Sequence, residues 1–492
     1  MLFNSYEFIF AYLPVTFLVY FSLNKKRLVE ASKAWLVFSS LFFYSWWNVA
    51  YLPLIMGSMF FNYVIGGILS GHGDSATRVH RRVILFVGVI SNLALLGYYK
   101  YADFFIINTN RVLGLEIESL NLVLPLAISF FTFQQIAYLV DSYRREIQEH
   151  DFLNYAIFVS FFPQLIAGPI VHHKEMMPQF VSKRAKVINY KNITSGLFIF
   201  SIGLFKKVVI ADTFSSWASS GFDATDALNF FEAWGTSLSY SFQLYFDFSG
   251  YTDMAIGLAL LFNIRLPINF NSPYKAKDIR DFWKRWHITL SRFLRDYVYI
   301  PLGGNRKGSV RTYSNLMTTF ILGGLWHGAG WTFVFWGFLH GVAIAINRLW
   351  DKLGVKLWPW AAWLITFNFI NIAWVFFRAK KWDDATNVLE GMFLINGAKA
   401  ALSIEFIDKL SMWSNFPLHT MVNYSVGKSN VTELALVCSF LIIPIVLLAK
   451  NSNHYIGKPV TLKMMTIGVF MFSYSVLNSF FTSTEVFLYF NF

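Results

Sequence analysis

Asn315-Leu-Met-Thr-Thr-Phe-Ile-Leu-Gly-Gly-Leu-Trp-His327-Gly-Ala-Gly-Trp331-Thr-Phe-Val-Phe-Trp-Gly-Phe-Leu-His340-Gly-Val-Ala-Ile-Ala-Ile346 contains no Asp, Glu, Lys or Arg. Its two apolar runs, Asn315–Leu325 and Trp331–Ile346, flank a Gly328-Ala329-Gly330 break. Ionisable groups inside membrane segments are costly, so two histidines in such a stretch are functional candidates by default. Each lies in a G-x-x-x-G frame, Gly324–Gly328 and Gly337–Gly341, which allows neighbouring helices to approach closely. His340 follows His327 by 13 residues, and on one straight helix that spacing sets them about 140° apart. One straight helix would then turn only one of them toward a given cavity. The alternative is a packed imidazole bonded to a backbone carbonyl. That reading suits His340 better, because the glycine-rich break directly after His327 would open the helix there.

The rest of the chain repeats this apolar character. Of its 492 residues 14% are charged, against about 25% in soluble domains. At 55% hydrophobic, with 54 Phe, 24 Tyr and 17 Trp, the chain could not cover itself in water; a bilayer removes that requirement. A spanning helix needs about 20 mostly apolar residues. Candidate runs are Tyr6–Leu23, Ala34–Asn48, Leu52–Leu69, Val83–Tyr99, Leu120–Val140, Phe152–Val171, Ile193–Ala211 and Phe230–Phe248. Met254–Leu266, Asn315–Leu325, Trp331–Ile346, Trp360–Phe377, Glu433–Ala449 and Met464–Phe481 follow. The fold expected is an all-α polytopic membrane protein with about 11 to 14 spanning or re-entrant helices, since several runs are too short to cross alone.

The net charge of +13 would suggest nucleic acid in a soluble chain. Here the basic residues occupy short loops beside apolar spans, which is loop anchoring, and no nucleic-acid partner is expected. Lys25, Lys26 and Arg27 follow the first run, Arg78, Arg81 and Arg82 the third, and Arg144 and Arg145 the fifth. These agree if the N-terminus faces outside and the loops face the cytoplasm. The first run reads as a retained span, not a cleaved signal. A single cysteine, Cys438, excludes an internal disulfide. Two polar regions interrupt the pattern: Asn269–Tyr313, basic and aromatic, and Ala379–Val431, which contains Asp383, Asp384 and Glu390. With no soluble module and no long repeat, residues 1–492 read as one membrane domain.

Two further clusters carry ionisable groups. In Asp281-Phe-Trp-Lys-Arg285-Trp286-His287-Ile-Thr-Leu-Ser-Arg-Phe-Leu-Arg-Asp296-Tyr-Val-Tyr, helical spacing of apolar residues predicts one interfacial amphipathic helix with a basic face. It is either a surface anchor or the entrance for an anionic substrate, lined by His287 or the arginines. In Tyr245-Phe-Asp247-Phe-Ser-Gly-Tyr251-Thr-Asp253, two carboxylates flank Ser249-Gly250. The structural reading there is a kink whose aspartates cap backbone groups or pair with arginine. Phe162-Pro163-Gln164 and Ala167-Gly168-Pro169 read as helix breaks. Walker A, G-x-S-x-G, H-E-x-x-H and C-x-x-C motifs are absent, and the scattered histidines, His172-His173 included, support no metal site.

Four segments together resemble the membrane-bound O-acyltransferases: Gly323-Gly-Leu-Trp326-His327-Gly-Ala, Asp281-Phe-Trp-Lys-Arg-Trp-His287, Leu244-Tyr-Phe-Asp247-Phe-Ser-Gly-Tyr251-Thr-Asp253-Met-Ala and Ala167-Gly-Pro169. Phe42-Phe-Tyr-Ser-Trp-Trp47 and Pro301-Leu-Gly-Gly-Asn305-Arg306 resemble the bacterial branch that holds the alginate O-acetylation membrane protein and the peptidoglycan O-acetyltransferase membrane subunit. The likeness runs from about residue 1 to 380, and 380–492 is less typical. It implies a ring of tilted helices around a central tunnel open to both faces. It implies catalytic roles for His327 and His287, and makes Trp326, Asp281, Arg285, Trp286, Tyr245, Asp247, Asp253, Asn305 and His340 candidate substrate or tunnel residues. No bound cofactor is implied; the co-substrate would be acetyl-coenzyme A or another acetyl thioester on the cytoplasmic side of an inner membrane. The acceptor would be a hydroxyl on the far side, on a polysaccharide reached through a periplasmic esterase-like partner. The alternatives are D-alanyl transfer to teichoic acids, a transporter or flippase with proton-relaying His and Asp, and an envelope scaffold.

Overall fold

The computed structural model describes residues 1–71, 78–147, 149, 151–224, 226–394, 428–481 and 487–488. The fold is 78% helical, with no strand among the described residues. In chain order come α1 (Leu13–Lys25), α2 (Val29–Ser45), α3 (Leu52–Ser70), α4 (Arg78–Leu96), α5 (Ala102–Leu113) and α6 (Ile128–Tyr143). The short α7 (Phe152–Ser160), α8 (Phe162–Leu165) and α9 (His173–Val181) lead to α10 (Tyr190–Phe205), α11 (Asp212–Phe222) and α12 (Phe230–Leu261). Then follow α13 (Ile279–Arg285), α14 (Ile288–Leu294), α15 (Gly308–His327), α16 (Trp331–Leu353), α17 (Pro359–Arg378), α18 (Trp382–Met392), α19 (Lys428–Leu448) and α20 (Leu462–Phe481). Of the polar region Ala379–Val431, residues 395–427 lie outside the described residues.

Among the described residues, seven helical segments are long and apolar enough to cross a bilayer: Glu7–Lys25, Val49–Ser70, His80–Leu113, Tyr190–Phe222, Trp331–Leu353, Pro359–Arg378 and Leu434–Tyr455. Two of the other apolar runs are interrupted. Leu120–Val140 becomes helical only at Ile128. Phe152–Val171 breaks after Ser160, where Phe161 adopts φ −48° and ψ 109° and Pro163 follows. The break at membrane depth is tolerable because backbone groups freed there find side-chain partners. The Nε2 atoms of Gln134 and Gln164 both donate to the Phe158 carbonyl at 2.6 Å, and Ser40 Oγ accepts from the Phe162 N–H.

The expected kink at Ser249-Gly250 does not exist. Phe230–Phe248 and Met254–Leu266 merge into α12, a 32-residue helix started by an Asn229–Glu232 capping box. At 1.5 Å per residue it is about 48 Å long, and from Ala233 to Leu261 only Trp234 is not buried. Helices α10, α11, α17, α18 and α19 pack around it. Its glycine serves close approach rather than bending. Gly250 faces Gly203 of α10 and Gly257 faces Gly196; a Cβ on Gly203 would lie 2.6 Å from the Gly250 carbonyl, and one on Gly257 2.6 Å from that of Gly196. Gly257→Val is therefore expected to force α10 off α12 at a cost of about 1–3 kcal/mol, read as a lowered Tm in detergent. An unchanged Tm would mean that the crossing accepts a side chain.

Besides Glu7–Tyr12, which leads into α1, π-helical turns lie at Gly97–Tyr101 between α4 and α5, Lys206–Ala211 between α10 and α11, and Arg295–Tyr299 after α14. Such turns re-aim side chains and concentrate at functional places. Here they carry Lys100, the pair Lys206 and Lys207, and Tyr297. Several loop-end residues are tied to their neighbours. Arg81 donates to the Leu69 and Tyr143 carbonyls, Arg144 lies over the Tyr297 ring, and Tyr20 at the end of α1 bonds the Ala185 carbonyl.

Candidate active site

His327 is the last residue of α15. Gly328 continues in extended conformation, and a Cβ there would collide with the Phe333 ring, so the turn into α16 closes tightly over its own first helical turn. The two histidines thus sit on separate helices, and the angle expected for one straight helix does not apply. Glycine close packing brings those helices together: a Cβ on Gly324 would strike the Phe333 carbonyl, and one on Gly337 the Phe320 carbonyl. The His327 ring, 2% exposed as a residue, is boxed by Trp326, Phe377 and Trp336 at centroid distances of 4.9, 5.0 and 5.2 Å.

His287 completes the box, 6.4 Å from His327 between ring centroids. The single amphipathic helix expected over this segment is in fact two, α13 and α14, broken at Trp286–His287. His287 takes a left-handed backbone, φ 43°, which carries it off the basic face to 0% exposure. The segment Asn269–Asn271 holds the break open: the Asn271 N–H donates to the Arg285 carbonyl and the Ile288 N–H to the Asn269 carbonyl. Asn269 Oδ1 accepts from the Thr289 N–H and hydroxyl, and lies 3.1 Å from His287 Nδ1. Since the Thr289 N–H can only donate, that oxygen is an acceptor and His287 Nδ1 carries the proton. His287 Nε2 is then the basic nitrogen of the neutral ring. Phe248 of α12 packs edge-on against this ring at 4.8 Å.

Two cavities converge on this box. One, of 530 Å³, has Arg280, Lys284 and Arg295 toward its exposed end and His327, Trp336 and Gly323 at its buried end. The second, of 790 Å³, is lined by Lys100, Gly328, Ala329 and Phe377, with Asp103 and Lys380 further out. They lie at opposite ends of α6. Leu122 and Leu124, before its start, line the second, whereas Tyr297, between Arg295 and Tyr299 of the first, packs beneath Arg144 just past its end.

The remaining candidates separate by position. Trp326 belongs to the box, stacked on Phe133 at 5.3 Å. His340, 0% exposed, accepts from Trp283 Nε1 at 3.2 Å and packs on Trp336 at 4.7 Å, so its bond is to a side chain and not to a backbone carbonyl. Trp286 and Tyr245 sit in an aromatic layer with Phe270 and Tyr274. Asp281 pairs with Arg285 on the half-exposed side of α13, and Asn305 lies exposed in the turn before α15. Asp247 and Asp253 pair with lysine, not arginine. Lys207 Nζ bridges Asp212 at 2.7 Å and Asp247 at 2.8 Å, while Lys206 holds Asp253 at 2.7 Å. Asp253 also accepts from the Ser452 hydroxyl, and Asp247 from the Leu488 N–H, so these carboxylates tie the C-terminal part to α12. Sequence reading missed Asn269, Trp336 and Lys100; for Lys100 the signal was a lysine inside the continuous helix His80–Leu113.

The model of the membrane-bound O-acyltransferase family matches residues 7–380. The chain is 50% identical to a peptidoglycan O-acetyltransferase of Helicobacter pylori, across 100% of this chain and 98% of that protein. It is 42% identical to a probable alginate O-acetylase AlgI of Pseudomonas aeruginosa, across 80% and 75%. Similarity to a teichoic acid D-alanyltransferase of Streptococcus thermophilus is lower, 27% across 51% and 68%. With its buried histidine box, its two converging cavities and these relatives, the chain belongs to the membrane-bound O-acyltransferase family and is a multi-pass membrane acyltransferase.

Proposed function

We propose that this chain moves an acetyl group from acetyl-coenzyme A across the inner membrane for O-acetylation of peptidoglycan, with a periplasmic esterase-like partner completing delivery. The observation that carries the reading is the place of His327, at the buried end of a basic-rimmed cavity and one residue from the wall of a second cavity. An excess of Lys and Arg marks cytoplasmic loops, so the basic cavity faces the donor and the N-terminus faces the periplasm. Peptidoglycan is favoured over alginate because the relative similar along its whole length is named for peptidoglycan.

In this reading the thioester enters the basic cavity and the acceptor hydroxyl the other. The His327 imidazole takes the hydroxyl proton as the oxygen attacks the thioester carbonyl; the new C–O bond forms, the C–S bond breaks, and the thiolate leaves with that proton. His287, with its proton on Nδ1, offers Nε2 as an acceptor that orients the hydroxyl or the His327 ring. It does not suit the role of oxyanion donor in its neutral form. Trp336 Nε1–H suits that role: it is buried, lines the donor cavity beside His327, and has no hydrogen-bond partner among the described residues.

Reconstitution in proteoliposomes with labelled acetyl-coenzyme A tests the reading; transfer to a partner or a far-side acceptor supports it, and transfer from a D-alanyl carrier thioester alone overturns it. The rim is tested separately. Lys284→Gln with Arg348→Gln removes two cations from the donor cavity. Losing about 1 kcal/mol of partly screened attraction to the donor phosphates raises the donor KM about fivefold at unchanged kcat. An unchanged KM removes the phosphate role.

A further inference from the structure

Helix termini leave their last carbonyls without intrahelical partners, and inside a bilayer water does not supply them. α15 faces this problem at His327, because Gly328 leaves the helix at φ −164° and ψ 152°. The partners come from another helix. Lys100 Nζ lies 2.5 Å from the Trp326 carbonyl, 3.4 Å from that of His327 and 3.2 Å from the Ser129 hydroxyl. The neighbouring Tyr101 hydroxyl donates to the Leu325 carbonyl at 2.7 Å. Both residues belong to the π turn Gly97–Tyr101, which aims two consecutive side chains at the same helix end. Lys100 Nζ also lies 5.8 Å from the Trp326 ring centroid.

We propose that Lys100 is a positioning residue for acyl transfer: it fixes the C-terminus of α15 and so holds the His327 ring between the two cavities. The inference rests on the reading of His327 as general base. Ring contacts with Trp326, Trp336 and Phe377 confine the imidazole sideways. Its backbone follows an extended glycine, and the bonds from Lys100 and Tyr101 secure that end. A base displaced by about 1 Å loses about 100-fold in rate, so the cap matters to the chemistry and not only to the fold.

The test compares full-length wild type with Lys100→Met, Lys100→Arg, Tyr101→Phe and His327→Ala in proteoliposomes, at equal folded yield, with acetyl-coenzyme A as donor. Lys100→Met is expected to lower kcat about 100-fold with donor KM unchanged, and Lys100→Arg, which keeps a cationic donor, to recover about tenfold of that loss. A kcat unchanged in Lys100→Met overturns the proposal; so does a raised KM at constant kcat, which would make Lys100 a substrate ligand. If Lys100→Met does not fold, Tyr101→Phe decides: loss of one capping bond is expected to lower kcat about fivefold, and an unchanged kcat overturns the proposal. His327→Ala separates the two ideas. An active His327→Ala removes the base reading and this inference together, whereas an inactive one beside a fully active Lys100→Met removes this inference alone.

Discussion

His327→Ala is expected to reduce acetyl transfer at least about 100-fold while the folded yield stays at the wild-type level. A positioned general base contributes about 10²–10⁴-fold, and an alcohol near neutral pH attacks a thioester poorly without one. The yield survives because the surrounding rings do not depend on the imidazole. Trp336 stacks on Trp374 at 5.6 Å and Phe377 packs on Trp336 at 5.0 Å and on Trp374 at 5.2 Å, so the box keeps its own contacts. The rate is measured with labelled acetyl-coenzyme A in proteoliposomes, beside a size-exclusion profile of each variant. Equal rates at equal yield would make His327 a packing residue and end the general-base mechanism. A lost rate with a collapsed profile would assign His327 to the fold.

How much of this site is legible in the sequence depends on how local each feature is. The Gly328-Ala329-Gly330 break is local, and composition alone marks His327 as a helix-end residue. The same break invalidates the angle between His327 and His340, because a period of 3.6 residues per turn holds only along a continuous helix. At His287 the spacing of apolar residues predicts a continuous amphipathic helix. It fails because Asn269 and Asn271, which pair with the backbone on both sides of His287, lie far back in the sequence, where periodicity carries no information about them. At Ser249-Gly250 the glycine is legible but its purpose is not, since the partner Gly203 lies on another helix. The π turns explain the misses at the lysines. Lys206 and Lys207 face the aspartates of α12, and Lys100 faces the end of α15, through an extra residue per turn that leaves no compositional mark.

Lys207→Met is expected to remove most of the folded protein. The Lys207 side chain is 6% exposed, and the carboxylates it bridges, Asp212 and Asp247, are 8% and 2% exposed. Deleting one member of a buried ion pair typically costs about 3–5 kcal/mol, because the opposite charge stays behind; native proteins hold about 5–15 kcal/mol in total. Here one cation serves two carboxylates, and Asp247 also anchors the Leu488 N–H, so the cost belongs at the upper end. Methionine keeps the length and apolar stem of lysine, which isolates charge from packing. The companion variant, Lys207→Met with Asp212→Asn and Asp247→Asn, removes all three charges. Neutral replacement of a complete buried set is often tolerated, so it is expected to recover most of the monodisperse yield in detergent. If the single variant folds as well as wild type, the cluster does not support the fold. If the companion variant folds but lacks acetyl transfer, the cluster serves the reaction as well as the fold, in keeping with Asp247 as a candidate substrate or tunnel residue. If it folds and transfers at the wild-type rate, α12 contributes its aspartates to architecture and Phe248 alone to the histidine box.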